Sequence, residues 1–385
     1  MTMSLERLDT RSLRAHAGGV DAFMVVRNEI GRLPCILDHH RRLGVERFFL
    51  VDNGSEDGTP EYLLAQENCH VYRTRDSFAA ANFGMDWINA LMARHGHGRW
   101  CLFIDADELF VYPHCDALPI SEFCRFLDRS NSEGVFAIMV DMYARGSLRD
   151  AVHRPGTPLL DVCPLFDPDY AVRPKISRPF SRPFQAVEAV GGPRSRVLYP
   201  EFHDIGVWGM ALARGKRKLG HSRIGRALGL NRRGFGACPP DITKIPLIRG
   251  RPGRFWTTNH RTTPLALSAV RGALLHFKLL ASFDAQARAE AQRGEHFGGG
   301  AEYAHYNALL ARNPDLSFAC EKSRVYHGPE DLVEAKIMHS TPGLDRFASA
   351  SSPGTLEASP DDERPSRPSD EGQVSRSSQT QEIVQ

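Results

Sequence analysis

The sequence predicts an α/β fold, a doubly wound and mostly parallel sheet with helices on both faces, followed by a C-terminal helical extension. Three observations predict it. Short apolar runs at Ala22–Val26, Phe48–Val51, Trp100–Ile104 and Val135–Met142 alternate with helical patterns, the order of parallel strands joined by crossover helices. The first three runs each stop in polar residues: Asn28 and Glu29, then Asp52–Thr59, then Asp105–Glu108. In a parallel sheet those stops share one edge, and open α/β sheets bind ligands just beyond the carboxyl ends of their strands. A hydrophobic fraction of 42% beside 24% charged residues is enough to build a core.

Residues 1–19 read as an N-terminal extension without the apolar core of a signal peptide. After the Ala22 run, Leu33, Ile36, Leu37, His40 and Leu43 recur at helical spacing, and Gly44 supplies a stop. Past the Phe48 run, Thr59, Pro60 and Glu61 form a helix start: a hydroxyl cap, proline at the first helical position, and an acid near the positive end. Val71 and Tyr72 suggest a weak strand. Ala79–Arg94 reads as a helix with Phe83, Trp87 and Leu91 on one face, leading into the Trp100 strand. Val135–Met142 is a further strand with Asp141 and Tyr143 at its end.

From Arg145 to Arg261 proline, glycine and arginine dominate, and between Arg214 and Arg261 the only acid is Asp241. That basic run is either a solvated face or an anion-binding wall opposite the acidic strand ends. Helical patterns return at Pro264–Leu280, Phe283–Arg293 and Ala301–Arg312. Residues 346–385 are almost devoid of apolar side chains, so a disordered tail is expected.

The net charge of +2 gives no overall pull toward nucleic acid. No apolar stretch approaches the roughly 20 residues of a membrane-spanning helix, so the expectation is a soluble, cytoplasmic protein, at most peripheral to a membrane. The eight cysteines are scattered without metal-site spacing, which fits reduced core thiols.

Carboxylates at i and i+2 on a strand edge point the same way, so Asp105 and Asp107 are candidates to share one hard cation. A solvated acidic turn is the plainer alternative. The loop Asp52-Asn53-Gly54-Ser55-Glu56-Asp57-Gly58-Thr59 lies where a nucleotide would sit, with an acid at the strand end and two glycines that let the backbone turn. No GK[ST] follows, so it is not a P-loop, and the first strand lacks GxGxxG.

VVRNE, VDNGSEDGT and FIDADE, in this order and spacing, resemble the family 2 glycosyltransferases of the GT-A (Rossmann-like) fold. GGPRSR (Gly191–Arg196), KIPLIRG (Lys244–Gly250) and LLHFK (Leu274–Lys278) resemble a bacterial subgroup of that family. The resemblance implies a nucleotide-sugar-binding half over 20–145 and an acceptor-side and helical region over 146–345. It implies a sugar transfer from a nucleotide-diphosphate donor, a UDP-sugar by expectation, to an acceptor hydroxyl on a glycan, lipid-linked or small molecule. Inverting chemistry with Mn²⁺ or Mg²⁺ is implied by the resemblance alone, and non-processive transfer is expected because the QxxRW pattern of processive synthases and membrane spans are both missing.

By position, the resemblance places Asp52 on uracil or ribose and has Asp57 steady the loop, with Gly54 and Ser55 between them. Asn28 and Glu29 would line the base pocket. Asp105 would meet ribose or metal, Asp107 would ligate the metal, and Glu108 would orient its neighbours. His276 would complete the metal shell and Lys278 would face the diphosphate; His276 as a core residue of an apolar helix, and His260 in its place, are the competing assignments. Arg194 and Arg196 are candidate phosphate clamps. Asp141, with Asp204 behind it, is the candidate base. Two other readings stay open: a non-catalytic nucleotide-sugar-binding scaffold, and a sugar nucleotidyltransferase, which would want a GxGxRL-like loop that Ala22–Gly31 lacks.

Overall fold

The structure, a computed structural model, describes residues 5–13, 19–174, 187–229, 239–293, 295 and 301–351. Its central sheet has nine strands: β1 (Glu6–Arg7), β2 (Val20–Val26), β3 (Arg47–Asp52), β4 (Cys69–Arg73), β5 (Trp100–Phe103), β6 (Glu108–Val111), β7 (Gly134–Asp141), β8 (Thr243–Arg249) and β9 (Leu267–His276). They lie in the order β1-β4-β3-β2-β5-β8-β7-β9-β6. The strands β2, β3, β4, β5, β7 and β9 point one way, and β1, β6 and β8 oppose them. The expected α/β, mostly parallel sheet is therefore present, with one antiparallel strand slotted between β5 and β7.

Side-chain alternation along these strands feeds two cores. Ala22, Met24, Phe48, Leu50 and Leu102 pack on one face with α1 (Leu33–Leu43) and α4 (Ile120–Arg129). Phe23, Phe49, Val51, Cys101 and Phe103 pack on the other with α3 (Met85–His95). Helix α1 ends at Gly44, whose left-handed φ of 99° lets its N–H reach the carbonyls of Arg41 and His40.

Several elements depart from the sequence expectation. Pro264–Leu280 is not helical: its centre is β9, held between β7 and β6 with Val270 and Ala273–Leu275 all buried. A strand buried on both faces loses its alternation and cannot be told from a buried helix by period. The helix expected from Ala79 begins only at Met85, because Asn82, Phe83 and Gly84 all have positive φ (51°, 54° and 78°). The N-terminal stretch is more than an extension, since β1 pairs with β4. Helix α9 (Pro342–Ser351) carries order past residue 346, burying Leu344 and Ala348; the rest of the expected tail lies outside the described residues.

A carboxylate fastens the β1 edge. Asp9 accepts from the Val71 N–H at 2.9 Å, the Arg11 N–H at 3.0 Å and the Arg7 guanidinium at 2.8 Å. Burial alone would raise its pKa, but Arg7 and those N–H groups outweigh it and lower it to about 2. A depressed folded pKa stabilises above the ordinary carboxylate range and stops doing so as pH falls through the folded value. Asp9→Asn will therefore cost about 1–2 kcal/mol near neutral pH. In thermal melts its deficit against the parent will shrink as pH drops toward about 3; a pH-independent deficit would refute the assignment.

Candidate active site at the strand ends

Strands β2 and β3 end side by side, and their loops are laced together. Asp52, fully buried at the end of β3, accepts the Ser55 N–H at 3.1 Å and faces Arg73 Nε at 3.4 Å. The chain then turns through Gly54 (φ 77°) and Gly58 (φ 88°), conformations that L side chains resist. Ser55 Oγ accepts the Asn28 N–H at 2.9 Å, Asn28 Oδ1 accepts the Glu56 N–H at 2.8 Å, and Asp57 Oδ2 accepts the Ile30 N–H at 3.2 Å. Thr59 was expected to cap α2 (Thr59–Leu64), but Gly58 occupies the cap position. The Thr59 hydroxyl instead accepts the Glu29 N–H at 2.9 Å and donates to Asp57 at 2.6 Å.

From this loop a chain of alternating charges runs across the sheet edge. Glu29 holds Arg32 through contacts of 2.6–2.9 Å, and Arg32 Nη1 stands 3.7 Å from Asp107 Oδ2. Asp107 Oδ2 is 3.4 Å from His276 Nε2, His276 Nδ1 is 2.7 Å from Asp141 Oδ1, and Asp141 Oδ2 accepts from Arg194 Nε at 2.7 Å. Strand register builds the middle of this chain, because His276 of β9 pairs with both Asp141 of β7 and Glu108 of β6. Burial would raise the Asp107 carboxyl, but His276, Arg32 and Lys278 outweigh it and hold it well below its usual range. Burial pulls His276 down, yet Asp107 and Asp141 leave it raised. Glu29 goes the other way, pushed up to about 7 by burial that Arg32 only partly offsets.

The DADE acids do not share one direction. Strand β5 stops at Phe103, so Asp105 and Asp107 sit in a turn and the i, i+2 alternation of a strand does not apply. Lys244, on β8 and 1% exposed, donates to Asp105 at 2.8 Å and to the fully buried Glu108 at 2.6 Å. Glu108 Oε2 also accepts the Asp105 N–H at 2.9 Å. Among the described residues no group of three or more His, Cys, Asp or Glu side chains is arranged to hold a metal, so Asp105, Asp107 and His276 are not assembled as one ligand set. Asp107 and His276 remain together at 3.4 Å, and Asp105 stands apart from them with Lys244. The imidazole is oriented through Nδ1 by a carboxylate, the usual support of a metal-ligating histidine, and its Nε2 faces Asp107.

Arg194 is delivered by the two glycines of GGPRSR. A Cβ on Gly191 (φ 109°) would lie 2.1 Å from the Asp169 carbonyl oxygen, and one on Gly192 (φ 79°) 2.4 Å from Tyr170 Oη. No other residue permits this approach, and the π-helical turn Arg194–Leu198 follows it directly. Arg194 is 4% exposed, and its Nη2 is buried without a hydrogen-bond partner among the described residues. Lys278 Nζ lies 3.7 Å from Glu302 and 4.8 Å from the centre of the Tyr303 ring on helix α8 (Ala301–Arg312), with Asp107 and Arg194 both close enough to act on its charge.

Asp141, the candidate base, lies inside this network between His276 and Arg194. Both of its oxygens are engaged, and Arg194 and His276 outweigh burial to lower its pKa. Two other candidates lie elsewhere, and a third, His260, stands beside Lys244 and near enough to Asp105 to feel its charge. Arg196 is taken by Asp167 at 2.9 Å, Asp204 is exposed past the short helix Pro200–His203, and His260 bonds the Thr243 carbonyl at 2.9 Å. Among the described residues the basic run builds no wall: Arg249 faces Asp128, and Arg251 and Arg254 bind Glu133. Of the run only Lys244 is seen to pair with the acidic strand ends, residues 230–238 lying outside the described residues. Arg32 and Lys244 were assigned no role from sequence. A lysine opening an apolar strand segment was the available signal for the second.

Comparisons with protein-family models and with curated proteins each find no match. Among solved structures the chain is similar to a crystal structure of 4-diphosphocytidyl-2C-methyl-D-erythritol synthase, with TM-score 0.22 and 15% identity over 35% of this chain and 65% of that one. It is also similar to a structure assigned as a glucose-1-phosphate thymidylyltransferase from Bacillus anthracis in complex with a sucrose, with TM-score 0.21 and 9% identity over 36% of this chain and 62% of that one. The chain thus spans less than two thirds of either, and likeness at this level does not bear on chemistry.

Proposed function

We propose that the chain is a metal-dependent glycosyltransferase of the family 2, GT-A kind, moving a sugar from a nucleotide-diphosphate donor, a UDP-sugar first, to an acceptor hydroxyl. The observation that carries this reading is the run Arg32–Asp107–His276–Asp141–Arg194, buried except at the half-buried Asp107, at the ends of parallel strands. It sets an ionised carboxylate and an oriented imidazole beside cations, the mixture that a metal-bound diphosphate requires.

In this reading the laced loops of Asn28, Glu29, Asp52, Gly54, Ser55 and Asp57 frame the nucleotide, and Asp105, braced by Lys244, faces the ribose. Asp107 and His276 would hold Mn²⁺ or Mg²⁺, which as a Lewis acid supplies charge stabilisation for the departing diphosphate. Lys278 and Arg194, whose Nη2 has no hydrogen-bond partner among the described residues, would receive phosphate oxygens. Asp141 keeps His276 and Arg194 in register, so the acceptor's proton goes to a group other than Asp141. Inverting, single-transfer chemistry in the cytoplasm belongs to the same proposal. Among the described residues no helix is long and apolar enough to cross a membrane.

Calorimetric titration of the full chain with UDP, GDP and CDP, with and without Mn²⁺, tests the reading. One diphosphate will bind with a Kd on the order of 10 µM, about −7 kcal/mol, and at least about tenfold more weakly without metal. Absence of binding under both conditions would remove the transferase and the nucleotide-sugar scaffold together.

A further inference from the structure

We propose that helix α5 (Val207–His221) and the short α6 (Arg223–Ala227) form an interfacial platform that docks on an anionic phospholipid surface. The inference is independent of the transferase reading, since none of its residues belongs to the strand-end cluster. Helix α5 is tied to the body by its inner side: Met210 is buried, and Arg214 binds Glu188. Glu188 is also held by Arg173 at 2.9 Å, and Arg173 Nη1 donates to the Ile205 carbonyl at 2.7 Å just before the helix.

The outer side carries the large apolar residues. Trp208 is 78% exposed, Leu212 62% and Leu219 50%, and on α6 and just after it Ile224 is 70% and Leu228 62% exposed. At about 100° per residue, Trp208, Leu212 and Leu219 fall within about 40° of one another around α5. Lys216 lies about 40° to one side of that stripe and Lys218 about 80° to the other. Both lysines and Arg223 are exposed and have no acidic partner among the described residues.

An apolar stripe with a tryptophan, flanked on both sides by lysines, is the pattern of a helix lying in a membrane interface. The charge argues for lipid over a second copy of the chain. From Val207 to Gly229 the sequence holds six Lys and Arg and no Asp or Glu, so two such faces would repel each other, whereas an anionic leaflet attracts them. At 15 residues, α5 lies on a bilayer rather than across it.

Vesicle flotation of the full chain tests the proposal, comparing phosphatidylcholine alone with phosphatidylcholine containing about 30% phosphatidylglycerol. The protein will float with the anionic vesicles only, and its tryptophan emission will shift to the blue on binding. Lys216→Gln with Lys218→Gln will weaken partitioning about 30-fold, from about 1 kcal/mol per lysine near a charged surface. Trp208→Ser with Leu212→Ser will weaken it at least about tenfold. All four positions are exposed, so circular dichroism should show these variants folded. Equal binding to neutral vesicles, or no binding to either, overturns the proposal. So does self-association abolished by Trp208→Ser, or retention of an oligonucleotide, where vesicles do not bind.

Discussion

Replacing Asp107 by Asn will lower transfer turnover by about a thousandfold, about 4 kcal/mol of transition-state stabilisation, while leaving the fold in place. The substitution keeps the side chain's shape and removes its charge. That charge is what Arg32, His276 and Lys278 converge on, and they hold the carboxyl ionised despite burial. An amide there would leave the cations facing a neutral oxygen and offer a divalent ion a much weaker ligand. The backbone at this position is anchored separately, through the Asp107 carbonyl to the Phe277 N–H at 2.8 Å, so the turn survives. Asp105→Asn is the control. Asp105 is 42% exposed and braced by Lys244, and its loss will cost about tenfold. Turnover is read as release of the diphosphate identified by titration, alongside thermal melts of each variant. If Asp107→Asn retains more than a tenth of parental turnover, its carboxylate is not at the reacting centre.

The parallel half of the sheet was legible because β2, β3, β5 and β7 are short apolar runs that end abruptly in polar residues. The antiparallel strand β8 was not. Its apolar residues are interrupted by Lys244 and Pro246, and its place between β5 and β7 depends on pairings more than 100 residues away in sequence. Strand β9 was misread for the opposite reason, since burial on both faces removed the alternation that marks a strand. Gly272 at its centre was an overlooked sign: a Cβ there would sit 2.9 Å from the Val111 carbonyl oxygen of β6.

At the site, the sequence located the acids and, by resemblance, set His276 near Asp107. What only the fold supplies is Lys244, which draws Asp105 and Glu108 away from Asp107. The basic run left two readings open, because Asp128 and Glu133, which neutralise Arg249, Arg251 and Arg254, belong to a distant segment.

Lys244→Met will have the largest effect on stability, about 3–5 kcal/mol, because it strands a charge where water cannot reach it. Burial lowers the Lys244 ammonium, but Asp105 and Glu108 outweigh that and leave it raised, so the cation is fixed. Its Nζ also lies 4.7 Å from the centre of the Phe103 ring, which adds a cation–π contact. Without it, Glu108 keeps a fully buried carboxyl whose Oε1 already has no hydrogen-bond partner among the described residues. Asp105, being partly exposed, can be solvated and will suffer less. Removing both buried members, as Lys244→Met with Glu108→Gln, should therefore recover more than half of the loss, since a neutral pair needs no compensation. Urea denaturation of the two single variants and the double variant reads this as an interaction energy. Near-additive losses would mean that Lys244 acts through packing alone. A strong interaction with little net loss in the double variant would mean that the pair is kept for the direction in which it holds Asp105, toward the ligand edge of the sheet.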